Sequence, residues 1–129
     1  MLKTLRGVTM IELIVVISII AILAVIGYPS YQTYLIESRR SDAINGLRNN
    51  QLIVEGYMQQ NGVTPGSGDV TLATVSPNGF YNLAYTQVDN DSYQLVATAV
   101  STLSQNNDTG CTTITLTSQM DTVYPTYCH

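Results

Sequence analysis

At 129 residues the chain has room for one membrane helix and one small domain. Charged residues make up 11%, against about 25% in an ordinary globular protein, and the formal net charge is −4. That balance argues against a nonspecific polyanion binder, which needs clustered Lys and Arg; the abundance of Thr, Ser, Asn and Gln suits an exported, β-rich surface.

Residues 1–7 form a short leader carrying Lys3 and Arg6. Positive charge ahead of an apolar run keeps that end in the cytoplasm. Residues 8–28 follow, with Glu12 as their single charged side chain. Residues 13–26 are fourteen positions without a charge, and Ser18 is their only polar member. A helix needs roughly 20 apolar residues to cross a bilayer core. No small-residue cleavage site follows the run, so an ordinary secretory signal fits poorly. A plain signal anchor is the bland reading. Glu12 departs from it, because a carboxylate in hydrocarbon is costly and tends to be functional.

Pro29 reads as a kink in a longer helix rather than its end, since Tyr28, Tyr31 and Leu35 keep helical spacing and no proline recurs before Pro65. Beyond it Ala43, Leu47, Val54, Tyr57 and Met58 recur at three-and-four spacing, the mark of one buried face. Asn61-Gly62 is a good terminator. A helix over residues 8–60 has 53 residues and a length of about 80 Å. Its first half is apolar all round and its second half on one stripe. The stretch from Ser38 to Ala43, with Arg39, Arg40 and Asp42, reads as a solvated or intersubunit face.

Residues 62–79 are rich in turn formers, with a weak strand or coil over 70–75. From Phe80 the period changes to two. Tyr81, Leu83 and Tyr85 alternate; Asp89-Asn90-Asp91-Ser92 makes a hairpin turn; Tyr93, Leu95, Ala97 and Ala99 return. Residues 111–117 form a third strand with Ile114 and Leu116 inward, and 123–128 a short edge segment that suits Pro125. The expected fold is α+β: a long N-terminal helix packed against a three- to four-stranded antiparallel sheet. Cys111 and Cys128, in an exported domain, read as a disulfide worth about 3 kcal/mol by the chain-entropy estimate. A metal or redox pair fits poorly, because CxxC spacing is absent and only His129 is near.

Gly7-Val8-Thr9-Met10-Ile11-Glu12, after a short basic leader and before an apolar helix, resembles the type III signal of prepilins, and the chain as a whole resembles type IV pilins. The resemblance implies cleavage after Gly7 by a prepilin peptidase, N-methylation at Val8, and an assembly role for Glu12, fifth in the mature chain. Glu12 of one subunit would pair with the Val8 ammonium of the next, fixing axial register. Val8 stands where the family usually has Phe, and Met10 where it usually has Leu. The domains implied are a leader (1–7), a transmembrane and filament-core helix (8–28) and a periplasmic or extracellular head (29–129). The layout Tyr81-Asn82-Leu83, Tyr93-Gln94-Leu95 and Cys111-Thr112-Thr113-Ile114-Thr115-Leu116 looks most like the small minor pilins.

The function so implied is that of a pilus subunit supporting assembly, twitching, adhesion or DNA uptake. Its partners are other pilin subunits, the peptidase and methyltransferase, and the inner-membrane assembly platform; the subunit waits in the inner membrane, then joins a surface pilus. Two alternatives stay open: a type II secretion pseudopilin, and a DNA-receptor pilin at the fibre tip. The mature chain keeps three basic residues against nine acidic, a formal −6, which weighs against the receptor. Its only basic spot would be Arg39, Arg40 and Arg48. No enzyme is expected: His129 is terminal, and no nucleophile–base pair, phosphate loop or metal-spaced cluster appears. No cofactor or metal is implied, because Asp89, Asn90 and Asp91 read as a turn rather than a calcium site.

Overall fold

The computed structural model describes residues 7–128. Its first element is helix α1 (Met10–Asn61), 52 residues long with Pro29 inside it. Two compact units divide within this helix, the first ending at Tyr34 and the second beginning at Leu35. Thr9 is the N-cap. Its carbonyl accepts the Leu13 amide at 3.1 Å, and its hydroxyl accepts the Glu12 amide at 3.3 Å. The helix ends where Gly62, at φ 74°, donates its amide to the Met58 carbonyl at 2.8 Å. Glycine takes that left-handed conformation without a Cβ clash.

The described part of the first unit is residues 7–9 and the first half of α1, and the side chains of residues 8–30 are exposed. Ser18 donates its hydroxyl to the Ile14 carbonyl at 2.7 Å, so the one neutral polar side chain of the apolar run is satisfied within its own helix.

The second unit holds the core. Strands β1 (Tyr81–Gln87), β2 (Tyr93–Ala99), β3 (Thr113–Thr117) and β4 (Met120–Tyr124) form one sheet in that order, and each pair is antiparallel. Alternation decides which face is buried. Leu83 pairs with Ala97 and Ala97 with Ile114, all inward, while Asn82–Thr98 and Thr98–Thr113 face out. The inward row packs with Ala43, Leu47 and Val54 of α1 in a single cluster. Of the stripe expected on the helix, Met58 is partly buried and Tyr57 turns its hydroxyl to Asp69 at 3.2 Å. Gly46 lets the sheet approach: a Cβ there would stand 2.8 Å from Leu83 Cδ1.

The hairpin turn falls over residues 88–92, where Val88 and Asp89 donate their amides to the Ser92 carbonyl. Residues 70–75 form no named strand; Val75 makes one isolated bridge to Asn82 beside β1. Two boundaries differ from expectation. The third strand begins at Thr113, not Cys111, and the edge strand is Met120–Tyr124 rather than 123–128. Pro125 brings no N–H to a ladder, so pairing stops before it, and Thr126–Cys128 curl into a 3-10 turn.

The Ser38–Ala43 stretch also departs from a solvated face. Ser38 and Ser41 are exposed, but Asp42 is buried. Its carboxylate accepts the Ser76 hydroxyl, the Asn78 amide at 2.9 Å and the Asn78 side-chain amide at 3.0 Å. Those donors replace the water that the charge loses on burial. The clamp ties the turn at residues 76–79 to the helix.

Candidate assembly site

Gly7 and Val8 precede the capped helix, and Val8 is 71% exposed. Glu12 lies in the first turn, where the helix dipole favours a negative charge. Among the described residues its carboxylate has no ion-pair partner. Around it Met10, Ile11 and Leu13 are exposed, and the apolar side chains continue exposed to Ile26. The helix is long and apolar enough to cross a membrane, and none of its most apolar window is buried. Among the described residues nothing stands against either that carboxylate or that wall of hydrocarbon. Residues 1–6 of the expected leader, and His129, lie outside the described residues.

Sequence reasoning missed the second role of this segment. Thr9-Met10-Ile11-Glu12 has the Ser/Thr-x-x-Glu spacing of a capping box, and the Thr9 hydroxyl does take the Glu12 amide. The motif that places Glu12 in the first turn also starts the helix that carries it.

At the other end of the chain Cys111 and Cys128 are joined, with Cα atoms 5.6 Å apart. Both are fully buried, so the bond fixes the last turn against the start of β3. A polar seam lies nearby. Arg40 makes paired hydrogen bonds to Asp108 at 2.7 and 2.8 Å, which raise the guanidinium pKa further above its ordinary value. Gln105, fully buried, donates from Nε2 to the Tyr81 hydroxyl at 2.8 Å and the Ile36 carbonyl at 2.9 Å. Burial pushes the Tyr81 pKa up, partly opposed by that donation. Tyr93 is buried too and donates to Glu55 at 3.0 Å; burial and the adjacent carboxylate push it up to about 12.

The three arginines of the expected basic spot do not form a bare patch. Arg39 lies over the Phe80 ring at 4.4 Å and donates to Ser104 at 2.6 Å. Arg40 is held by Asp108, and Arg48 donates to Gln51 at 2.8 Å. Among the described residues no group of His, Cys, Asp and Glu is placed to hold a metal ion.

A long helix whose second half lies on a four-stranded antiparallel meander, closed by a C-terminal disulfide, is the architecture of a type IV pilin. The fold is similar to that of a type IV pilin from Shewanella oneidensis, with a TM-score of 0.52 and 23% identity, covering 70% of this chain and 91% of that one. Residues 3–28 match the prokaryotic N-terminal methylation motif. Residues 29–115 match the family described as type IV minor pilin ComP, DNA uptake sequence receptor, and the chain belongs to that family. Among curated proteins no match is found. As a minor pilin the chain is a structural subunit that assembles with other pilin subunits.

Proposed function

We propose that the chain is cut between Gly7 and Val8, methylated at Val8, and drawn into a pilus by pairing Glu12 with the Val8 ammonium of an adjacent subunit. Before assembly residues 8–28 span the inner membrane with the head, 29–129, on the periplasmic side; Pro29 marks a kink at the boundary. The observation that carries this reading is the carboxylate of Glu12, without an ion-pair partner among the described residues, on an exposed apolar helix. Removing water from both leaves a charge that needs a cation, and a new N-terminus is the cation that processing makes. Glu12→Gln keeps size and removes charge. Pili sheared from cells should then contain about tenfold less of the subunit, a loss of about 1.4 kcal/mol or more in relative affinity. Incorporation at the original level would sink the pairing.

A second role rests on the matched family, named for a DNA uptake sequence receptor. Carried to this chain, that role would have DNA meet the head, whose Arg side chains are Arg39, Arg40 and Arg48. With at most three phosphates neutralised, the salt slope of log K would be no steeper than about −2.7, and shallower with Arg40 already spent on Asp108. Such binding leans on hydrogen bonds and shape rather than counterion release. The full chain in detergent, titrated with a short uptake-sequence duplex, should retard it at low salt with that shallow slope. No retardation at low salt removes the receptor role and leaves the filament role standing.

A further inference from the structure

Tyr28, Tyr31 and Tyr34 stand at three-residue intervals directly after the apolar run, and they are 68%, 58% and 66% exposed. Three-residue steps on an α-helix retreat by about 60° each, so the rings cover one side of it over about 120°. None of the three hydroxyls has a hydrogen-bond partner among the described residues. The other hydroxyls here are turned inward: Ser30 donates to the Ile26 carbonyl at 3.4 Å and Thr33 to the Pro29 carbonyl at 3.2 Å. Of the hydroxyls in residues 28–34, the phenols are those without an acceptor in the helix, with the partly exposed Gln32 amide between them.

Length says what meets them. Residues 8–27 rise about 30 Å at 1.5 Å per residue, the thickness of a bilayer's hydrocarbon core. With Val8 at one boundary, Tyr28 reaches the other, and Tyr31 and Tyr34 lie about 4.5 and 9 Å beyond it. Those depths are the headgroup layer, where an amphipathic ring keeps its body in hydrocarbon and its hydroxyl in water. Pro29 points to the same boundary. It has no N–H for the Val25 carbonyl, a loss that water at the interface makes good and hydrocarbon does not.

We propose that Tyr28, Tyr31 and Tyr34 form an interfacial collar, with the phospholipid headgroup layer as its partner, that sets the depth of the unassembled subunit in the membrane. This rests on the membrane-span reading above. The collar keeps Gly7 and Val8 at the opposite face and holds Glu12 about 6 Å inside it. Subunits bound for the fibre are thereby all presented at one height.

The chain contains no tryptophan, so one introduced indole reports alone. Full-length chain carrying Tyr31→Trp or Ile17→Trp is placed in phosphatidylcholine vesicles brominated near the carbonyl end or near the methyl end of the acyl chains. Tyr31→Trp should be quenched about twofold more by the shallow bromines, and Ile17→Trp more by the deep ones. Adding Tyr28→Ser, Tyr31→Ser and Tyr34→Ser to Ile17→Trp should blur its depth preference. A deep Ile17→Trp whose profile the serines leave unchanged overturns the collar and spares the span. A Tyr31→Trp quenched by neither lipid beside a deep Ile17→Trp does the same. An Ile17→Trp untouched by any bromine overturns the span itself and the collar with it.

Discussion

Leu23 and Leu47 stand on the same helix, yet Leu23 is 64% exposed and Leu47 is fully buried. The neighbours of Leu23 are apolar on every side of the helix, so no face can turn to water and none needs a particular partner. Leu47 belongs to a stripe, with Ala43 and Val54, that has one counterpart: the inward row of the sheet. An all-round apolar helix is built for a solvent, lipid or other helices; a striped one is built for a surface. The two carboxylates show the same split. Asp42 is satisfied by Ser76 and Asn78 within the chain, while Glu12 finds no ion-pair partner among the described residues.

The contrast can be broken by substitution, using the full chain in detergent and tyrosine fluorescence through a urea titration. Leu47→Ala should cost about 3 kcal/mol or more, the transfer loss plus a cavity. Replacing Cys111 and Cys128 together with Ser should cost about 3 kcal/mol by removing the closed loop from the unfolded chain. Gly46→Ala should cost about 1–2 kcal/mol, because the new methyl presses on Leu83 and that side chain must shift. High pH gives a smaller test. The Tyr93 phenol is raised in the fold, so its contribution is present in full below the unfolded value near 10 and is lost as pH climbs toward about 12. Tyr93→Phe should flatten that alkaline loss. Leu23→Ala should change the head's urea midpoint by less than about 0.5 kcal/mol equivalent; a loss like that of Leu47→Ala would erase the division drawn here.

Much of this was legible in the residues. Period two marked Tyr81 to Ala99 as a hairpin, period 3.6 marked Ala43 to Val54 as a buried face, and Asn61-Gly62 marked the helix end. The edge strand was misplaced by three residues, because Pro125 was read as part of it and instead follows its last residue. Arg40 and Asp42 looked solvated because their partners, Asp108, Ser76 and Asn78, lie 34 to 68 positions away, and no local pattern links residues so distant. The Thr9 cap was readable from its spacing to Glu12 and was overlooked beside the louder apolar run. Among the described residues the fold holds no cation for Glu12, and the proposed function assigns that cation to a second molecule.

The threonine cap has a further consequence. If the chain is cut after Gly7 as proposed, a single residue, Val8, stands between the cap and the open end of the chain. One residue spans at most about 3.8 Å between Cα atoms, less than the 5.4 Å pitch of the helix. An amine on so short a leash cannot make up for a neighbour misplaced by a full turn. In the proposed assembly, tolerance for sliding during polymerisation would thus be decided by a hydroxyl that never leaves its own subunit.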